Sequence, residues 1–177
     1  MSSILDLAPD VLWATMYIAA VPVALVALSA YGVHRMEKSS PTGRSRGLST
    51  AAVFGVGLLG GAAVWFAWLS WGDYYTGADG LAHGPYRPWQ VLACGATAVV
   101  VSGAVGWFAR WRMSGPLVGA IGFLLGFATC WAFDAADDTT GLWGVGYLFL
   151  IVGGGLGLLT VAVAVIGARA RLAGRHG

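Results

Sequence analysis

Carboxylates and a histidine lie close together in two segments of this 177-residue chain, and such side chains can bind a divalent cation or transfer protons. Their spacing matches no metal-binding motif. Acidic loops are also the ordinary counterpart of a basic cytoplasmic side in a membrane protein, and we favour that interpretation. The sequence therefore predicts no metal, no cofactor and no catalytic residue. The residues concerned are Asp73, Asp79, His83, Asp134, Asp137 and Asp138.

Tryptophan and tyrosine side chains surround these acidic segments. Such residues ordinarily anchor helices at the level of the lipid headgroups. Between residues 73 and 88, Gly and Pro are interspersed with aromatic residues, which is typical of a folded cap rather than a flexible linker. If the protein recognises a ligand or a partner on this outer side, we expect it to use an aromatic and acidic region made of Asp73, Tyr75, His83, Trp89, Gln90, Trp131 and Asp134.

The two cysteines, Cys94 and Cys130, have no CxxC spacing and no neighbouring His, so zinc and thioredoxin-like sites are excluded. Antiparallel helices would place both thiols at a similar depth, which makes a disulfide between them one interpretation. Two separate small apolar side chains are the other interpretation, and it is the one we favour.

The composition predicts the elements that must position these residues. Apolar residues make up 58% of the chain and charged residues 10%, against roughly 45–50% and 25% in soluble domains. A bilayer core about 30 Å thick needs about 20 apolar residues per helix. We therefore predict an all-α membrane protein with N-caps at Asp10 and Ser49 and a kink near Pro22. Its single domain, 1–177, is a five-helix bundle with spans at 11–33, 49–71, 89–108, 117–133 and 142–168 and an outer loop at 73–88.

The distribution of cations predicts the orientation. Nine of the ten Lys and Arg residues lie on one side of the predicted spans, and only Arg87 lies on the other. The basic side faces the cytoplasm, so the N-terminus is predicted outside and the C-terminus inside. His34 and His176, which lie near basic residues, are expected to be solvated. The cations form no concentrated patch, which excludes a nucleic-acid partner.

The residue bias predicts the source. All cations except Lys38 are Arg, and Asn is absent, as is typical of a GC-rich genome. In composition and layout the chain resembles small multi-pass membrane proteins of high-GC Gram-positive bacteria, a resemblance that carries no functional residue. We therefore predict a multi-pass protein of a bacterial cytoplasmic membrane.

Small residues recur at helical spacing along the predicted spans. Helices in lipid associate through close backbone approach at such residues. We expect them to pack one monomeric bundle rather than to form a dimer face. The glycines concerned are Gly57, Gly61, Gly119, Gly122, Gly126, Gly153 and Gly157.

The predicted spans contain no Asp, Glu, Lys, Arg or His, whereas ion-coupled transport uses charge within the bilayer. The sequence therefore predicts a non-enzymatic accessory or stabilising subunit of a larger membrane assembly. Its partners would be the lipid bilayer and another membrane protein or a second copy of itself. The alternative is a small permease, or a binder of lipid or another apolar ligand, that uses the outer aromatic and acidic region. A third interpretation is a membrane-embedded thiol redox enzyme using Cys94 and Cys130.

Overall fold

A computed structural model of the chain describes residues 9, 13, 15–39, 46–72, 74–78, 80–136 and 142–174. In this part of the chain, five helical segments are long and apolar enough to cross a membrane. The prediction of an all-helical membrane protein is thus confirmed in the number, length and composition of its helices. The helices are α1 (Ala20–Lys38), α2 (Thr50–Trp68), α3 (Pro88–Trp107), α4 (Ser114–Ala135), α5 (Trp143–Phe149) and α6 (Gly155–Gly174).

Two π-helical turns interrupt the regular helices. The turn π1 (Thr15–Ala19) precedes α1, and π2 (Leu150–Gly154) joins α5 to α6, so that Trp143–Gly174 forms one continuous fifth span. Pro22 follows π1 closely. Because Pro has no backbone N–H, it cannot donate to the carbonyl four residues earlier, and a wide turn accommodates the disturbed hydrogen bonding. A π-helical turn therefore lies on the N-terminal side of Pro22, and the kink expected near Pro22 stays a prediction.

Local sequence signals set several helix ends. The Ser49 side chain accepts a hydrogen bond from the backbone N of Ala52 at 3.3 Å and so caps α2. Pro88 is the first residue of α3, and Pro116 lies in the first turn of α4, where a missing N–H costs no helical hydrogen bond. The N-cap expected at Asp10 lies outside the described residues.

Three helices extend beyond the predicted apolar runs. Helix α1 continues to Lys38 rather than ending at Val33, α4 begins at Ser114 rather than at Leu117, and α6 continues to Gly174 rather than ending at Ala168. In each case the added residues include polar side chains, which the apolar count excluded. Side chains in these extensions make hydrogen bonds to neighbouring helices or to the segments that join them, as described below.

Helix α4 is the centre of the bundle. It contacts α1, α2, α3, α5 and α6, and just over half of its most apolar segment is buried. Most of its buried positions are small, so the neighbouring backbones come close. The first and fifth spans are far less buried and lie at the periphery.

The tightest contact joins α2 to α4, which run in the same direction. A Cβ at Gly57 would lie 2.5 Å from the carbonyl oxygen of Gly119, and a Cβ at Gly61 would overlap the backbone of α4. Reciprocally, Cβ atoms at Gly122 and Gly126 would overlap backbone carbonyls of α2. The predicted glycines of these two spans therefore lie in one interface inside the monomer.

The two glycines predicted to pack on the fifth span, Gly153 and Gly157, behave differently. An added Cβ at Gly153 or Gly157 would meet no heavy atom within 4 Å in the structure. Helical spacing alone does not determine which face of a helix meets a neighbour. At these two positions the small-residue face makes no close contact among the described residues.

The chain alternates direction, so the bundle has two distinct ends. The aromatic end, defined by Trp68, Trp89 and Trp131, also carries a small antiparallel hairpin of β1 (Tyr75–Thr76) and β2 (Ala82–His83). In the hairpin turn, Gly80 has a φ of 76°, a conformation that side chains with a Cβ rarely adopt. The basic end is defined by Arg46, Arg112 and Arg169.

Candidate functional site

The hairpin at the aromatic end brings together two of the predicted site residues. Tyr75 and His83 are directly paired across the strands, and their rings stack with centroids 5.4 Å apart. The Arg87 guanidinium lies 5.1 Å from the centre of the Tyr75 ring, within reach of a cation–π interaction. Asp73 and Asp79, which the sequence places in the same loop, lie outside the described residues. The described side chains support the folded loop that the sequence predicts.

Trp89 and Gln90 belong to a second group, at the junction of α2 and α3. The Trp89 ring lies 6.4 Å from that of Trp68 and 6.1 Å from that of Trp71. Gln90 is only 2% exposed, and both ends of its amide are engaged. Its Oε1 accepts from the backbone N of Arg87 at 2.8 Å, and its Nε2 donates to the carbonyl of Trp68 at 3.3 Å. The Gln90 amide therefore holds α3 against the end of α2.

Asp134 and Trp131 contact further groups near the end of α4. Asp134 Oδ2 accepts a hydrogen bond from the Tyr86 hydroxyl at 3.2 Å. Burial of Tyr86, and then the negative charge of Asp134, raise the pKa of the phenol far above its usual value. The Trp131 ring stacks on Tyr147 at 6.4 Å. Asp137 and Asp138 lie outside the described residues.

The predicted site residues are thus distributed over separate contacts at the aromatic end, each with a structural partner. In the described ranges, no group of three His, Cys, Asp or Glu residues could hold a metal ion. Cys94 is buried and Cys130 is half-buried, and both are free thiols rather than a disulfide. The described side chains at the aromatic end are therefore packed, and a more open space lies elsewhere among the described residues.

That space is an apolar groove between the first and fifth spans. Its floor is one face of α4, and its volume is about 190 Å³. Almost all of the surface lining it is carbon, and it is partly open to the surroundings of the bundle. We call this feature the lateral groove. Its principal lining residues are Pro22, Val26, Leu117, Leu124, Gly155 and Leu159.

The lateral groove is bounded at both ends by contacts between helices. Towards the aromatic end, π1 contacts α5. Towards the basic end, α1 is attached to α4 through Glu37, which is 5% exposed. Its carboxylate accepts hydrogen bonds from the backbone N of Met113 at 2.8 Å and of Ser114 at 3.1 Å, and from the Ser114 hydroxyl at 2.8 Å. A carboxylate at the start of α4 also interacts favourably with the helix dipole.

His34 completes this attachment. Its Nδ1 lies 3.1 Å from the Ser114 hydroxyl oxygen, and its ring meets Trp111 edge to face at 4.8 Å. Because the hydroxyl hydrogen is donated to Glu37, Nδ1 must be the donor in this pair. The expectation that His34 is solvated is therefore wrong: the ring is half-buried and hydrogen-bonded. His176 lies outside the described residues.

Arg169 makes a corresponding attachment between α6 and α3. Its guanidinium donates to the carbonyls of Gly106 at 3.0 Å, Ala109 at 2.8 Å and Trp111 at 3.4 Å. These carbonyls lie at and just beyond the C-terminal end of α3, where helices leave acceptors without partners. A cation at this position satisfies them.

The sequence reasoning missed Glu37, Ser114 and Arg169 as structural residues. One signal was present, because Glu37 is the only Glu in the chain and lies on the otherwise basic side. The lateral groove had no comparable signal, since its lining residues are ordinary lipid-facing types. No family model, no curated protein and no solved structure matches this chain.

Proposed function

We propose that this chain is a non-enzymatic membrane protein that holds an apolar chain, such as a lipid acyl chain, in the lateral groove. The observation that carries the proposal is the groove itself, a space of about 190 Å³ lined almost entirely by carbon. An engineered apolar cavity of about 150 Å³ stays dry and binds benzene, so a space of this size is sufficient for a ligand.

The dimensions favour a flexible chain over a partner helix. The part of α4 that forms the floor, residues 117–124, is about 12 Å long at 1.5 Å per residue. A partner helix with its side chains is about 10–12 Å wide, as wide as this floor is long. The contacts of α1 and π1 that bound the groove at its two ends would prevent such a helix from lying parallel to the bundle. At about 30 Å³ per group, taken from the volume of a water molecule, the groove accommodates about six methylene groups.

The chemistry of the lining also indicates what stabilises the bound chain. A lipid acyl chain is already in an apolar environment, so entering the groove gives it little hydrophobic free energy. Dispersion contacts with three helices stabilise it instead, and these contacts depend on shape. The lateral groove therefore selects by fit, and a side chain that occupies its volume excludes the ligand.

Gly155 offers a direct test because it lines the groove without being tightly packed. A Cβ at Gly155 would meet only a Leu124 methyl at 3.5 Å, which is an ordinary contact. Gly155→Leu should fold and fill the groove, whereas Gly157→Leu, on the same helix, adds its side chain to open space. We expect native mass spectrometry to show one retained lipid on the wild type and on Gly157→Leu, and markedly less on Gly155→Leu. Equal retention by all three proteins would refute the proposal.

A second candidate function is the accessory subunit that the sequence predicts. It is favoured by the first span, of which only 11% is buried, so that most of its surface is available to lipid or to another protein. The same purification tests it, provided that the tagged protein is extracted from its own host. A stoichiometric second protein in the native mass would support the subunit function, and a chain carrying lipid alone would contradict it.

The proposed orientation places the basic end in the cytoplasm of a bacterial cell. It is supported by the excess of Lys and Arg at this end of the spans. Ser39→Cys and Gly84→Cys, each in a background lacking Cys94 and Cys130, report on the two sides. An impermeant maleimide added to intact cells should label position 84 and spare position 39. The reverse pattern would invert the orientation.

A further inference from the structure

Three arginines converge at the basic end in a pocket distinct from the lateral groove. The pocket is shallow and largely open to the surroundings, has a volume of about 390 Å³ and lies between the end of α3, the end of α6 and the segment before α2. We call it the basic pocket. It is lined by Arg46, Arg112, Arg169, Trp107, Phe108 and Leu172.

Two of the three pocket arginines, Arg46 and Arg112, make no ion pair with any described acidic residue. Arg169 lines the same pocket and is engaged by the carbonyls at the end of α3. The Glu37 carboxylate is engaged at the start of α4. An external anion would therefore stabilise the charges of Arg46 and Arg112.

The apolar lining indicates where that anion comes from. Trp107, Phe108 and Leu172 are 42%, 64% and 44% exposed, respectively, and they lie where helices α3 and α6 reach the end of their spans. Tryptophan at this level is typical of the lipid–water interface. Basic pockets between membrane helices bind the headgroups of anionic lipids. Arginine suits this role, because its planar guanidinium binds phosphate oxygens in pairs.

We propose that the basic pocket binds the phosphate of an anionic lipid headgroup, with Arg46 and Arg112 as the principal contacts. Arg169 is fixed by its bonds to the end of α3 and contributes its charge to the pocket. The exposed aromatic rings of Trp107 and Phe108 pack against the glycerol and the upper acyl chains. This site does not depend on the lateral groove, because the two are lined by different residues.

The test compares lipids bound to the full chain after extraction from an equimolar mixture of phosphatidylglycerol and phosphatidylcholine. Each arginine near a membrane surface favours an anionic lipid by about fivefold, so Arg46→Ala and Arg112→Ala should each reduce phosphatidylglycerol enrichment by about that factor. Arg171→Ala is the matched control, since Arg171 lies on α6 outside the pocket. It should cause a clearly smaller loss, and equal losses in all three variants would indicate general surface charge and overturn the proposal.

Two further arms complete the test. Inorganic phosphate at matched ionic strength should leave the enrichment unchanged. Displacement of phosphatidylglycerol by phosphate would assign the pocket to a soluble phosphate compound and overturn the lipid assignment. If Arg112→Ala does not fold, Arg112→Lys retains the charge but loses the paired hydrogen bonds, and it should still reduce the enrichment relative to wild type. Gly155→Leu should retain the full phosphatidylglycerol enrichment of the wild type. This variant therefore distinguishes failure of the basic-pocket proposal from failure of the proposal for the lateral groove.

Discussion

Adding a single methyl group between α2 and α4 should destabilise the protein more than the same change at Gly157 on the fifth span. A Cβ at Gly57 would lie 2.5 Å from the Gly119 carbonyl oxygen, whereas real Cβ contacts essentially never fall below 3.0 Å. In Gly57→Ala the two helices must therefore separate by at least about 0.5 Å, given these two distances. Overpacking of this kind costs about 1–3 kcal/mol.

Gly157→Ala is the matched control, because its methyl group would meet nothing within 4 Å. Replacing Gly by Ala within a helix favours folding by up to about 1 kcal/mol in both variants, and this gain cancels in the comparison. The two variants should therefore differ by the overpacking cost of about 1–3 kcal/mol. The assay is equilibrium unfolding in mixed micelles, followed by circular dichroism at increasing fractions of denaturing detergent. If Gly57→Ala is as stable as Gly157→Ala, the close α2–α4 contact does not exist as described.

Three further outcomes are expected from contacts outside this interface. Glu37→Ala should lower the free energy of unfolding by about 1.5–3 kcal/mol, because it removes a charged hydrogen-bond acceptor from the start of α4. Glu37→Gln should lower the free energy of unfolding by less. Equal stability of Glu37→Ala and wild type would contradict this role of Glu37. Burial and the Asp134 charge disfavour the tyrosinate form of Tyr86, so the pKa of its phenol is raised. Ordinary tyrosines ionise between about pH 9 and 11, so Tyr86→Phe should leave the tyrosinate absorbance change in that range unaltered. A smaller absorbance change in the variant would contradict the raised pKa. Alkylation of the denatured protein without reductant should add two labels, on Cys94 and Cys130, whereas a disulfide would leave none.

The helical architecture could be predicted from the sequence because apolar runs of membrane-spanning length are a direct consequence of bilayer thickness. The positions of Ser49, Pro88 and Pro116 also indicated helix starts, since capping and the missing N–H of Pro act locally. The α2–α4 interface was partly predictable. Periodicity identified Gly57 and Gly122 as small positions, but it also selected Gly157, which meets no neighbour. Which faces of the helices meet depends on how all five spans pack together.

The lateral groove and the basic pocket could not be predicted, for a related reason. Leu117 and Leu159 line the groove, yet they have the composition of any lipid-facing residue. Arg46 and Arg169 were counted as cations of one membrane side, although they lie far apart in the chain and come together only through the contact of α6 with α3. Both sites are defined by packing between distant segments.

The most direct test of the lateral groove is photochemical mapping of a bound acyl chain. The protein is reconstituted with a phospholipid that carries a diazirine in the middle of one acyl chain, illuminated, and digested for mass spectrometry. We predict that the groove residues of α4 and the fifth span carry more label than the exposed α3 residues Leu92 and Val100. Gly155→Leu should remove this excess of label, and Gly157→Leu should retain it. Labelling at the groove no greater than at Leu92 and Val100, or unchanged by Gly155→Leu, would contradict the proposed function.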